Sequence, residues 1–317
     1  MYGYETYDVM VIGSGPAGLT AAGYCARGGL KTAIIEALPE SGGQMVLADM
    51  VDNYPGLEEM KGFEIGKRMK AWAKNCGAVF FRGRATRIED NLEGGRMKRV
   101  LTGAKDYKGK TIIYAAGAVH GKLDVKGEEE LRGRGVSYCA TCDGTFYRGK
   151  KAAVIGGGDT ALKDALYLSK ICERVTLVHR RKEFRGQEIY LRRCEETENI
   201  EIVRGAVCEE IYGEKKVTGI GLVKDSGAGV YVQCDGVFIA VGMIPETEVM
   251  QGFCDMDKKG YIIAGEDCVT SAPGIFAAGD VRTKEFRQIV TAVADGANAA
   301  RSAALYILDM EKPVTEE

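Results

Sequence analysis

The sequence predicts an α/β protein made of two three-layer units, the second inserted into the first. Three observations predict it. Short apolar runs, such as Val9-Met10-Val11-Ile12, have the character of strands buried on both faces of a parallel sheet and alternate with helical segments. A strand, a glycine turn and a helix occur at residues 9–27 and again at 152–171, an internal repeat with a cysteine pair between the copies. After the second copy, residues 274–307 return to a buried strand and a helix of small residues that complete the first unit. The expected boundaries are 1–117 and 246–317 for the outer unit and 118–245 for the inserted one.

Composition narrows the function classes. The chain of 317 residues is 45% hydrophobic and 28% charged, ordinary for a globular protein with ample core. A net charge of −2, with Arg and Lys scattered, gives no nucleic-acid footprint. No apolar run approaches the ~20 residues of a membrane span, so no membrane partner is expected. Residues 1–8 lack a basic region followed by an apolar stretch, so no signal peptide is expected there. A soluble, cytoplasmic protein with mostly free thiols among its 10 cysteines follows as an expectation.

The first repeat opens with the strand at Val9–Ile12 and the turn Gly13-Ser14-Gly15-Pro16-Ala17-Gly18. A helix to Arg27, a second strand at 31–35 and an acid, Glu36, follow. Gly13 allows the tight turn, Gly15 lets the backbone approach a pyrophosphate, and Gly18 lets helix and strand pack closely. The helix N-terminus receives phosphate charge, and Glu36 takes ribose hydroxyls while disfavouring a 2′-phosphate. This pattern fits the adenosine half of FAD. Polar loops with Gly42-Gly43-Gln44 and Asn53-Tyr54-Pro55-Gly56 stand where such sheets hold ligands. Residues 63–76 read as an amphipathic helix with Phe63, Ile65, Met69 and Trp72 on its buried side. Residues 84–110 read as a small meander with turns at Gly94-Gly95 and Gly109, and 112–117 as a further strand.

The second repeat carries Gly156-Gly157-Gly158-Asp159-Thr160-Ala161, but its second strand ends in His179-Arg180-Arg181, with Arg185 close behind. No acid stands where Glu36 did. Guanidinium forks at that strand end suit a 2′-phosphate, so this unit is expected to take NADPH. Beyond it come a strand at 235–242, a hairpin strand at 260–263, and Gly274-Ile275-Phe276-Ala277-Ala278-Gly279-Asp280. Arg287-Gln288-Ile289 then lead into the last helix, expected at about 290–307.

Between the repeats lies Cys139-Ala140-Thr141-Cys142-Asp143-Gly144. A Cys-x-x-Cys pair closes a short ring when oxidised, and one sulfur with a lowered pKa makes a good nucleophile. Asp143 is a carboxylate within reach of either sulfur, able to pass a proton to a departing thiolate. Structural zinc wants four Cys or His ligands in paired sets, whereas the other eight cysteines and both histidines lie singly. Redox chemistry is the reading retained.

These motifs together resemble the low-molecular-weight bacterial thioredoxin reductases, over residues 7–308. Those that carry the resemblance are the two glycine turns, Gly42-Gly43-Gln44, Asn53-Tyr54-Pro55-Gly56, and Gly135-Val136-Ser137-Tyr138 leading into the cysteine motif. His179-Arg180-Arg181 with Arg185, and Ala278-Gly279-Asp280 with Arg287-Gln288, complete the set. Ala116 stands where that family more often has Thr, and the segment from Glu36 to Gln44 is one residue longer than usual. The resemblance implies two Rossmann-like domains, a homodimer, and FAD and NADPH as cofactors. It makes Gly13 to Gly18, Glu36, Gly43, Gln44, Asn53, Gly279, Asp280 and Arg287 to Ile289 the FAD residues. Gly156, Gly158 to Ala161, His179 to Arg181 and Arg185 become the NADPH residues. It further implies that Cys142 faces the flavin, that Cys139 attacks a thioredoxin disulfide, that Asp143 is the acid, and that hinges lie near residues 117–123 and 242–245. A related flavin-dependent reductase, or a thiol oxidase acting on another thioredoxin-like protein or a small disulfide, is the alternative.

Overall fold

The computed structural model describes residues 5–311 apart from 49, 58, 93 and 95. Two compact units emerge: one runs to Val119 and resumes at Ile244, the other is His120–Met243.

The first unit begins β1 (Thr6–Ile12), α1 (Pro16–Arg27), β2 (Thr32–Glu36), α2 (Gly62–Asn75) and β3 (Val79–Arg82). It continues through β4 (Ala85–Leu92), β5 (Met97–Thr102) and β6 (Asp106–Tyr114). The sheet order is β3-β2-β1-β6-β5-β4, parallel up to β6 and antiparallel beyond it. Alternation along β1 explains how both faces are covered. Val9 and Val11 pack with Ala17, Ala21 and Ala300 of the helices, whereas Met10 and Ile12 pack on the other face with Met250 and Ile262.

The expected turn at Gly109 is not formed. The sheet bond continues through Gly109, so 106–114 is one strand, and the chain reverses instead at 102–105, where Thr102 and Lys105 bond each other. Of the expected turn at Gly94-Gly95, Gly95 lies outside the described residues. In α2 the fully buried side is Gly62, Ile65, Gly66 and Ala73, with Phe63, Met69 and Trp72 only half-buried. The Trp72 ring lies against Gly23 of α1, where any Cβ would collide with it, so a small partner residue decides the packing.

A short strand β7 (Ala118–His120) leads into the second unit. There follow β8 (Val136–Ser137), α3 (Ala140–Asp143), β9 (Lys151–Ile155), α4 (Asp159–Ser169), β10 (Arg174–His179), α5 (Glu188–Glu196) and β11 (Ile200–Arg204). A meander of β12 (Ala206–Gly213), β13 (Val217–Lys224) and β14 (Gly229–Gln233) precedes β15 (Gly236–Ile239). The main sheet, β11-β10-β9-β15-β8, is wholly parallel. Ala153 and Ile155 face the meander, and Ala152 and Val154 face α4. The strand expected at 235–242 is thus confined to β15.

The chain returns through β16 (Met243–Pro245), then β17 (Ile275–Ala277), which joins the first sheet beside β6, and ends in α6 (Ile289–Met310). No strand forms at 260–263. Ile262 makes isolated bridges to Met256 and Arg282 instead. Among the described residues no helix is long and apolar enough to cross a membrane.

Candidate active site

In the first unit the glycine turn, the Gly42-Gly43 loop and the Gly279 turn converge on the start of α1. Gly13 holds φ +97°, and an added Cβ would strike the Ala115 carbonyl. Gly18 abuts the Gly13 carbonyl in the same way, which fixes helix against strand. Gly15 differs: the nearest atom to an added Cβ is Gly43 Cα, 4.0 Å away, so the backbone is bare above the helix end. The α1 N-terminus has no side-chain cap, leaving N–H groups to serve an anion. Glu36 reaches back from β2 to this turn, its Oε2 accepting from Ser14 N (2.7 Å) and Ser14 Oγ (2.6 Å) and its Oε1 from Leu38 N (2.6 Å). It braces the turn from the strand end where a ribose would lie.

Asn53 and Gln288, 235 residues apart, meet through Asn53 Nδ2 donating to Gln288 Oε1 at 3.1 Å. Gln288 caps α6 in a capping box with Thr291, with Ile289 beginning the helix. Arg287 lies over the Tyr261 ring at 4.3 Å and donates to the Lys284 and Arg282 carbonyls, so it is turned into the fold. Asp280 supplies a test for a bound group. Its Oδ1 is buried and has no partner among the described residues, and burial raises its pKa. A carboxylate oxygen left in that state suits a ligand hydroxyl as its missing donor. With the bare Gly15 backbone and the uncapped helix, the residues present fit FAD.

A residue that sequence reading missed holds this corner. Asp295, 4% exposed, accepts from Gly279 N (2.9 Å), Arg282 Nε (3.0 Å) and Nη2 (2.7 Å), and Lys284 Nζ (2.8 Å). Burial pushes its carboxyl up, but Arg282 and Lys284 outweigh that and hold it below the usual range. An acid among the alanines of a buried helix face was the available signal.

In the second unit, Gly156 is pressed against the Ala240 carbonyl and Ala161, while nothing lies within 4 Å of a Cβ built on Gly158. The α4 N-terminus is again uncapped, and Asp159 in its first turn binds Gln187 N (2.7 Å) and Nε2 (3.0 Å). Thr160 follows in the same turn. Arg180, Arg181 and Arg185 are exposed around the end of β10. His179 is not. It is 4% exposed, its ring fills the space below Gly157, and Nε2 lies 3.1 Å from the Glu183 carbonyl. Burial, with Arg185, Arg181 and Arg180 nearby, holds it below the ordinary histidine value. The imidazole therefore shapes the turn, and the arginines carry the positive charge. An open glycine backbone at an uncapped helix, beside three exposed arginines, fits NADPH.

Cys139 and Cys142 are joined as a disulfide at the start of α3. Cys142 N donates to Cys139 Sγ at 3.2 Å. Ser137 Oγ donates to Asp143 Oδ2 at 2.6 Å and accepts from Cys139 N at 3.1 Å. The other eight cysteines are free, and burial pushes Cys25, Cys234 and Cys268 up to about 12. Buried thiols held in that state are poor nucleophiles. Among the described residues no group of three or more His, Cys, Asp or Glu is placed to hold a metal.

The model for the pyridine nucleotide-disulphide oxidoreductase family matches residues 7–296. A thioredoxin reductase of Listeria monocytogenes is 44% identical over 316 residues, covering 99% of this chain and 98% of that protein. One from Bacillus subtilis is 42% identical over 311 residues, covering 97% of each. The crystal structure of thioredoxin reductase from Streptococcus pyogenes superposes with a TM-score of 0.91 at 41% identity, covering 97% of this chain and 100% of that one.

Proposed function

We propose roles for individual residues of a chain that belongs to the pyridine nucleotide-disulphide oxidoreductase family and acts as an NADPH-dependent thioredoxin-disulfide reductase. Bound FAD and NADPH supply the two-electron path from a dihydronicotinamide to the Cys139–Cys142 disulfide. The net reaction oxidises NADPH to NADP⁺ and converts a thioredoxin disulfide, with one added proton, to a dithiol.

The first unit holds FAD. Gly13, Ser14, Gly15, Pro16, Ala17 and Gly18 present the bare helix N-terminus to its pyrophosphate. Glu36 serves the adenosine ribose, Asp280 accepts from a hydroxyl of the flavin side, and Gly43, Gln44, Asn53, Gly279 and Arg287 to Ile289 line the remainder. The second unit holds NADPH, with Gly156 to Ala161 at the pyrophosphate and Arg180, Arg181 and Arg185 at the 2′-phosphate. Cys142 receives the electrons and Cys139 attacks the thioredoxin disulfide. The observation that carries this division is the Cys142 N–H aimed at Cys139 Sγ, which stabilises negative charge on that sulfur once the disulfide opens. Asp143 delivers the proton to the departing thiolate.

Gly117 (φ +80°) and Gly242 (φ +119°) sit at the two chain crossings and support hinges there. The exposed Leu305 and Leu308 of α6 and Tyr24 of α1 support a homodimer built on the first unit. Eight free cysteines support a reducing, cytoplasmic setting. The testing experiment is anaerobic NADPH titration of the purified yellow protein, followed by NADPH-dependent reduction of thioredoxin. Flavin bleaching with no thioredoxin reduction would leave a flavoprotein reductase of another disulfide.

A further inference from the structure

We infer that Ser137 is a positioning residue for proton delivery: its hydroxyl ties the backbone of Cys139 to the carboxylate of Asp143. The inference rests on Asp143 being the proton donor, as proposed above.

Ser137 is the last residue of β8, its backbone registered opposite Phe238 of β15, and only 5% of it is exposed. Its Oγ has one proton and is surrounded by three groups. Cys139 N donates to it at 3.1 Å, which occupies a lone pair. The proton is then offered either to Asp143 Oδ2 at 2.6 Å or to the Cys139 carbonyl at 3.3 Å. The shorter contact is to a carboxylate, and hydrogen bonds to ionised acceptors are the stronger class. A rigid sheet strand thereby fixes where the carboxylate stands relative to the attacking cysteine. When Asp143 takes up a proton the hydroxyl has the Cys139 carbonyl to turn to, so its own proton is not left without an acceptor.

The exchange balances as follows. The Cys139 thiolate attacks one sulfur of the thioredoxin disulfide, forming a mixed disulfide and breaking the partner's S–S bond. The outgoing thioredoxin thiolate takes the proton held by Asp143. The Cys142 thiolate then attacks Cys139, re-forming the enzyme disulfide and releasing the second thioredoxin sulfur, which is protonated from solvent. Thioredoxin gains two electrons and the cysteine pair loses two.

The donor must be protonated, so this step fades as pH rises through the Asp143 titration. Ser137 favours the charged carboxylate, and its removal leaves the proton on to higher pH.

The test is the pH dependence of thioredoxin reduction by the pre-reduced holoenzyme in anaerobic stopped flow. In Ser137→Ala the alkaline limb should move up by about one to two pH units, the shift expected for losing a hydrogen bond to a charged group. The plateau rate should fall several-fold, with flavin reduction by NADPH unchanged. Ser137→Thr, which keeps the hydroxyl, should restore both limb and plateau. Asp143→Asn should abolish the limb, and adding Ser137→Ala to it should move nothing further. An unmoved limb in Ser137→Ala, with lower rate or melting temperature alone, would make Ser137 merely structural. A wild-type profile in Asp143→Asn would overturn the acid assignment and the Ser137 role with it.

Discussion

Replacing Asp280 by Asn should change apoprotein stability and FAD affinity in opposite directions. Without FAD, the buried Oδ1 has no partner among the described residues and burial raises the pKa. A raised folded-state pKa on an acid means that the charge opposes folding. Stability from this group is complete below its unfolded value and is lost as pH rises through the folded value. At pH 7 the carboxylate is therefore a cost, which the neutral amide removes. The amide removes the buried charge, although its oxygen still lacks a donor. Apo Asp280→Asn should therefore be the more stable at pH 7, and the gain should vanish at acid pH. FAD binding should weaken, because a hydrogen bond to a charged acceptor, about 1.5–3 kcal/mol, is replaced by a neutral one of about 0.5–1.5 kcal/mol. The difference of about 1–1.5 kcal/mol is a roughly 5- to 12-fold rise in Kd. Urea unfolding of apoprotein and fluorimetric FAD titration measure the two effects. Unchanged FAD affinity, or an apoprotein that loses stability, would refute the assignment of Asp280 to the flavin.

Replacing Arg180, Arg181 and Arg185 together by Ala should raise KM for NADPH far more than for NADH, because only NADPH carries the 2′-phosphate; steady-state kinetics with both coenzymes decide, and equal losses would move the phosphate site elsewhere. Asp295→Ala should cost about 3–5 kcal/mol in thermal or urea unfolding, since it strands the buried Arg282 and Lys284 and releases Gly279 N. Because the Asp295 pKa is depressed, the wild-type stability it contributes is present above the unfolded carboxylate pKa and is lost as pH falls through the folded value. The variant's deficit should therefore shrink in acid.

Much of the site was legible because its chemistry is local. Gly13, Gly15 and Gly18 act through spacing within one turn, and the Cys-x-x-Cys-Asp segment closes on itself, so sequence order and spatial order coincide. Asn53 with Gln288 and Glu36 with Ser14 were legible as single residues, but their meeting depends on how β2, the loop after it and α6 are stacked. His179 stands beside the arginines in sequence, yet strand alternation turns it under Gly157 and away from solvent. Asp295 carries no local motif at all and matters only through partners that the fold brings to it. Ser137 stood within a motif, but its hydroxyl's link to Cys139 and Asp143 shows only in the structure. The strand reading failed at Gly109, where glycine suggested a turn. There the bare Cα leaves room for the Met10 side chain on the neighbouring strand.

The assignment of the two sulfurs is tested most directly by trapping. Holoenzyme with Cys142→Ser, and separately with Cys139→Ser, would be mixed with a thioredoxin lacking its own resolving cysteine and activated as a mixed disulfide with a small thiol. Cys142→Ser should form a covalent complex through Cys139, while Cys139→Ser should form little, and both should still accept electrons from NADPH into the flavin. Complex formation through Cys142 in place of Cys139 would reverse the two roles, and thioredoxin turnover surviving in either variant would contradict the exchange mechanism itself.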